Sequence, residues 1–196
     1  MASSPNPVMP RHHEVEQLIT AIHGNCVFSD AEYPVHIDHL PGCAVVSGTG
    51  HGTTTTEHQS TTGDQGPIGK IHFPLPGPMD LGSGNVSGIK WVDLEVDFMQ
   101  YRQGREVPVG NGGELSRVIK AEVFVGCHLV WSKDLNDADS FKVLLNDFMS
   151  REEKLPGKGL EVTLTIKFGE DSLKFCSVAL QGRNVNKRPP KPEGPY

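Results

Sequence analysis

His36, Asp38, His39, His51, Glu57 and His58 are the densest set of potential metal ligands in a chain with nine histidines. Zinc takes imidazole and carboxylate ligands, converging tetrahedrally at close range. Spacing decides which of these residues can converge. Pro34 and Pro41 bracket "HIDH" in a segment too short for a stable helix. Along a strand, successive side chains face opposite sides, so His36 and His39 part. His36 and Asp38 share a side, where the carboxylate can orient the imidazole as well as share a metal. His51 and His58 stand in "GTGHGTTTTEHQ", and neither "HIDH" nor "HGTTTTEH" reproduces a recurrent ligand spacing. The metal reading is therefore zinc or another divalent ion held by His36, Asp38, His51 and His58, for binding or for hydrolysis. Its competitor is a set of solvated histidines.

Other chemistry finds less support. The chain has no G-x-S-x-G elbow, no G-x-x-x-x-G-K-[ST] loop and no G-x-G-x-x-G between strand and helix. "GTGHGTTTT" shares only composition with a phosphate loop, lacking its lysine. Cys127 and His128 are neighbours on a strand-like run, which points them to opposite faces and denies them a thiol–imidazole dyad. Asp93, Glu95 and Asp97 form an acidic row spaced about 7 Å apart along a strand. That row suits a cation, a basic partner, or a water-facing surface paired to Lys120 or Lys167. Arg183, Lys187, Arg188 and Lys191 make the tail locally basic.

The elements that must position these residues lie mainly in the second half of the chain. Hydrophobic residues make up 36% of 196, with 22 Gly and 15 Pro, so the apolar residues must be concentrated for a core to form. Residues 1–12 read as a flexible arm, 13–182 as a single domain with a Gly/Thr/Pro-rich excursion at 47–88, and 183–196 as a Pro-rich basic tail. "HHEVEQLITAIHG" puts Val15, Leu18, Ile19 and Ile22 at helical spacing, with Gly24 to stop the helix. "KIHF" offers an edge strand within the excursion. Strict alternation marks "KWVDLEVDF", "RVIKAEVFVGCHLVW" with a break or bulge at Gly126, and "GLEVTLTIKF" turning through "GEDS" into "LKFCSVAL" as a hairpin. Between them, "LNDADSFKVLLNDFMSREEK" sets Phe141, Leu144, Leu145 and Phe148 on a helical stripe. The expected class is α+β, a largely antiparallel sheet packed with two helices.

A net charge of −6 gives no reason to expect a broad nucleic-acid face. No run approaches the apolar length that spans a bilayer, and no signal peptide is visible, so the expected setting is cytoplasmic. Cys26, Cys43, Cys127 and Cys176 lack any C-x-x-C pairing and read as reduced, mostly buried thiols.

"VFSDAEYPVHIDH" is the most distinctive stretch. A short amphipathic segment followed by Ser29, Asp30, Glu32, Tyr33, Pro34, Val35 and Ile37 resembles the N-terminal signature of the nuclease A inhibitor-like family, over some twenty-five of the 196 residues. The resemblance implies a small α+β sandwich that docks on another protein and does no catalysis of its own. The long excursion and the missing Thr-Glu terminus depart from that family's pattern. The residues themselves also suit a partner surface: Tyr33 offers contact area at little entropic cost, Pro34 stiffens it, and Asp30 and Glu32 can meet basic groups. The expected partner-binding set is Ser29, Asp30, Glu32, Tyr33 and Pro34. A turn that leads into a strand explains the same residues, and a structural subunit of an assembly is a further alternative.

Overall fold

The computed structural model describes residues 17–49, 67–76, 89–108, 114–145 and 159–184. Their regular structure is twelve strands, with one 3₁₀ turn at Gly24–Cys26. In chain order they are β1 (Gln17–His23), β2 (Phe28–Ser29), β3 (Val35–Leu40), β4 (Cys43–Gly48), β5 (Ile68–Leu75) and β6 (Ile89–Arg102). Then follow β7 (Arg105–Glu106), β8 (Arg117–Val125), β9 (His128–Asp137), β10 (Phe141–Leu144), β11 (Leu160–Lys167) and β12 (Ser172–Asn184). Two antiparallel sheets result. The first runs β10-β6-β12-β4-β3, with β1 added to β12 and β7 to β6; the second runs β2-β5-β11-β8-β9.

The core lies between the sheets. In β5, Ile71, Phe73 and Leu75 point inward while Lys70 and His72 point out, and β11 buries Val162, Leu164 and Ile166 on the same side. Opposite them stand Leu94, Val96 and Phe98 of β6 and Leu173, Phe175, Val178 and Leu180 of β12. The Phe175 ring lies 5.2 Å from Phe98 and 5.8 Å from Phe73, so one aromatic stack joins both layers. β12 organises the first sheet. β6 follows one of its edges from Ser172 to Asn184, while β4 takes Leu173–Phe175 of the other edge and β1 takes Gln17↔Arg183 through His23↔Ser177.

This architecture corrects the expected α+β class to all-β, for among the described residues there is no α-helix. The expected helix 13–23 is a strand over Gln17–His23, with Thr20 buried and Ile22 packed on the core while Ile19 faces solvent. Leu18, Ile19 and Ile22 satisfy a helical stripe as well as a strand; the free edge of β12 decides by satisfying the backbone of β1. The element on which the family resemblance leans as a helix is thus β-structure. The second expected helix is corrected likewise. Phe141 and Val143 are buried and Lys142 and Leu144 exposed, the two-residue period of a strand, and Phe141 pairs with Val96 along β6. Phe148 lies outside the described residues.

Two connections also differ from expectation. "RVIKAEVFVGCHLVW" is not one strand but the hairpin β8–β9, turned at Gly126, whose φ of 59° suits glycine. A bulge next to Val118 puts Val118 rather than Ile119 in the core. β11 and β12 are not hairpin partners: β11 pairs with β5 and β8, and β12 belongs to the other sheet. The link between them is held by Glu170, whose N–H donates to Glu114 O at 2.8 Å. A buried polar cluster fastens this crossing. Gln100 Nε2 donates to Ser116 O at 2.8 Å, Ser116 Oγ accepts from Gly169 N at 3.0 Å and donates to Asp171 O, and the Asp171 carboxylate takes the Arg102 guanidinium.

Candidate functional site

β5 stands near the edge of the second sheet, and the two residues of β2 cover only part of its free side: Phe28 pairs with His72 and Ser29 with Ile71. Beyond Ser29 the chain must reverse into β3 within a few residues, leaving backbone donors to satisfy. The acidic and hydroxyl side chains of the "SDAEYP" segment do so. Asp30 Oδ1 accepts from the N–H groups of Glu32 at 2.7 Å and Tyr33 at 2.9 Å, an Asx-type turn. Ser29 Oγ accepts from Val35 N at 2.9 Å and donates to Asp30 O at 3.1 Å. Asp30 N–H donates to Lys70 O, and Lys70 N–H to Tyr33 O, each at 3.0 Å. Both ends of the turn are thereby sewn to β5.

His72 completes the arrangement. Its Nε2 lies 3.0 Å from Asp30 Oδ2, and its Nδ1 lies 2.9 Å from Glu161 Oε1 and 3.0 Å from Thr163 Oγ1. Both ring nitrogens face carboxylate oxygens, Asp30 on one side and Glu161 on the other, with the Thr163 hydroxyl beside Glu161. The Phe28 ring stacks on the imidazole at 5.7 Å. Burial alone would raise the Asp30 carboxyl. The Tyr33 N–H, the His72 ring and the Glu32 N–H outweigh that effect and hold it below its ordinary value of 3.8.

Asp30, His72 and Thr163 follow the order carboxylate, imidazole, hydroxyl that nucleophilic catalysis uses. The surroundings do not suit that chemistry. Thr163 is 3% exposed, within a central strand, and Glu161 competes for the ring nitrogen that would have to take its proton. An open depression of about 470 Å³ lies elsewhere, on the β6–β7 hairpin, lined by residues 102, 103 and 105–108.

What the turn presents outward is apolar and aromatic. Tyr33, 37% exposed, carries the Lys70 ammonium 4.7 Å above its ring; Phe28 is 46% and Ile68 40% exposed. Ile68, Lys70 and His72 are successive outward positions of β5, so this strip extends about 13 Å along the strand. Of the five expected partner-binding residues, Glu32, Tyr33 and Pro34 are exposed. Ser29 and Asp30 are partly buried and engaged in the turn. Phe28, Ile68, Lys70 and His72 were not in the expected set; the alternation of "IGKIHF" was the signal that Lys70 and His72 share a face.

The other expected sites are scattered. His36 Nε2 and Asp38 Oδ1 are 3.2 Å apart on the outer side of β3, both exposed, as strand alternation predicts. His39 Nδ1 donates to Asn25 O at 2.9 Å. His51, Glu57 and His58 lie outside the described residues. Among the described residues no three His, Cys, Asp or Glu side chains converge on a metal position. The acidic row is paired, but by β10 and the residue before it: Lys142 Nζ lies 3.5 Å from Asp93 and 3.8 Å from Glu95, and Ser140 Oγ donates to Asp97 at 2.8 Å. The expected Lys120 and Lys167 instead meet Glu122 at 2.7 Å and Glu114 at 3.1 Å. Lys187, Arg188 and Lys191 lie outside the described residues. All four cysteines are free, and the expectation of mostly buried thiols is corrected: Cys43 is buried, Cys176 intermediate, and Cys26 and Cys127 exposed, the last two in turns. Among the described residues no helix is long and apolar enough to cross a membrane.

Fold and site together define an all-β sandwich with a pinned aromatic turn at one sheet edge. Comparison with protein-family models, with curated proteins and with solved structures finds no match for this chain.

Proposed function

We propose that the chain is a non-enzymatic protein-interaction module that docks on another protein through the strip of Phe28, Tyr33, Pro34 and Ile68, with Glu32 at its rim. The carrying observation is the double use of Asp30, which holds the turn through two backbone N–H groups and ties it to His72. An exposed aromatic whose backbone is already fixed loses little conformational entropy on binding. Tyr and Phe supply the large contact area that binding hot spots use. The complementary partner surface is apolar, with a basic group opposite Glu32. The free thiols fit a reducing, cytoplasmic setting.

Quantitative affinity capture with immobilised wild type, Phe28→Ser, Tyr33→Ala and a control, Leu129→Ser on β9, tests this. Both strip variants are expected to lose the same captured protein by about tenfold or more while Leu129→Ser retains it. Identical captures from all four proteins would refute the assignment. The rival metal reading keeps one supporting contact, His36 with Asp38. Stoichiometric zinc lost on His36→Ala would favour it.

A further inference from the structure

We infer that Cys43 and Cys176 form a cross-strand dithiol on the outer face of the first sheet, a modification site that closes to a disulfide with a small disulfide oxidant such as oxidised glutathione. The register carries the placement. β4 and β12 pair antiparallel as Val46↔Leu173, Val45↔Lys174 and Ala44↔Phe175; the paired register stops there, and continuing it by one step brings Cys43 to Cys176, beside Gly24, which continues the β1 register past His23↔Ser177. Alternation gives the same face to both. Ala44, Val46, Leu173 and Phe175 point into the core, so Val45, Lys174 and the two cysteines point outward. Directly opposed residues have Cβ atoms about 4.5–5.5 Å apart, whereas a disulfide needs about 3.5–4.5 Å. Closing the pair therefore requires a shift of about 1 Å. The backbone there can supply it: Cys43 adjoins the Pro41–Gly42 turn, and Cys176 is the residue at which β12 breaks register with β6.

The electrostatics agree with this proximity. Burial pushes the Cys176 thiol up, as does Asp97, and Cys43 is among the smaller contributors in the same direction while Lys174 opposes them. A thiol so placed reacts slowly, because the thiolate is the nucleophile. The site is thus defined by the equilibrium preference of a preorganised pair. Cys176, the more accessible of the two, loses its proton and attacks glutathione disulfide, releasing one glutathione. The Cys43 thiolate then attacks the protein-bound sulfur and expels the second. Two protein thiols give up two electrons and two protons, and one glutathione disulfide becomes two glutathiones.

The competitor is Cys26, in the 3₁₀ turn that packs against β12 so closely that a Cβ on Gly24 would lie 1.9 Å from Phe175 O. Full-length protein equilibrated in glutathione buffers of rising oxidised fraction, acid-quenched and alkylated, decides between them. Cleavage at acidic residues separates Cys26 from Cys43, because Asp30, Glu32 and Asp38 lie between. The expected product is a Cys43–Cys176 linked peptide, formed equally in Cys26→Ser, with Cys127 alkylated or glutathionylated. The proposal is overturned if Cys43 and Cys176 stay alkylated at fractions that glutathionylate Cys26 and Cys127, or if Cys26 supplies one half of the dominant link.

Discussion

Replacing Asp30 separates its two jobs. Asp30→Ala removes the acceptor of the Glu32 and Tyr33 N–H groups and the partner of His72 Nε2. A hydrogen bond to a charged group contributes about 1.5–3 kcal/mol when buried, and an exposed ion pair under about 1 kcal/mol. With the carboxylate 22% exposed, each backbone bond is discounted to about 1 kcal/mol and the histidine pair to under about 1 kcal/mol, giving a loss of about 2–3 kcal/mol. Asp30→Asn keeps a carbonyl oxygen where Oδ1 stands, so the turn survives and only the histidine pair is lost, about 1 kcal/mol or less. Urea unfolding followed by tryptophan fluorescence measures both, with the midpoint shifting at constant slope. In a chain of this size the alanine variant should lower Tm by about 5–10 °C. If Asn costs as much as Ala, the backbone bonds are not what the carboxylate contributes, and the preorganisation argument for Tyr33 fails with them.

The same carboxyl predicts a pH dependence. Its folded value is depressed below 3.8, so its contribution is full above that value and is lost as pH falls through the folded one; the stability gap between wild type and Asp30→Asn should shrink in acid, and a constant gap in acid unfolding curves would refute this. Glycine positions give a steric test. A Cβ at Gly24 would lie 1.9 Å from Phe175 O and one at Gly169 1.8 Å from Glu114 O, whereas one at Gly159 meets nothing within 4 Å. Alanine at the first two should destabilise by about 3 kcal/mol or more, and at Gly159 should be within about 0.5 kcal/mol of neutral, by thermal melts. Ser116→Ala strands the partly buried Gly169 N–H and the buried Asp171 O that the hydroxyl serves, and should cost about 2 kcal/mol by urea titration.

The strands that could be read from sequence are those whose alternation is unbroken and whose length excludes a helix. In β11 Leu160, Val162, Leu164 and Ile166 alternate and are buried, and in β6 Leu94, Val96 and Phe98 are buried as their alternation predicts, while a bulge beyond Asp93 puts Trp91 rather than Val92 in the core. The helices were misread for a shared reason. In "QLITAIH" and "SFKVLL" apolar residues three and four apart coexist with apolar residues two apart, so periodicity alone does not choose. The choice falls to long-range pairing, β1 with β12 and β10 with β6, which no local window contains. The β11–β12 connection is the same problem one level up. Two alternating strands and a short turn suit a hairpin, and only the bond from Glu170 to Glu114, far off in sequence, shows that the chain crosses between sheets.

The binding segment was half legible, and the dividing line is the backbone's demand for partners. Composition alone makes Ser29, Asp30, Glu32, Tyr33 and Pro34 one polar and aromatic patch. In three dimensions the tight reversal between β2 and β3 needs acceptors for the N–H groups of Glu32, Tyr33 and Val35, and Asp30 and Ser29 provide them. Residues recruited in this way face the protein. Those the backbone does not need, Glu32, Tyr33 and Pro34, remain outside, joined by Phe28 and Ile68 from the neighbouring strands. A carboxylate next to a short edge strand is therefore first a turn former and only by remainder a contact. Asp30 bears on binding through the position it enforces on Tyr33, and its removal should weaken a partner through that aromatic ring rather than through lost charge.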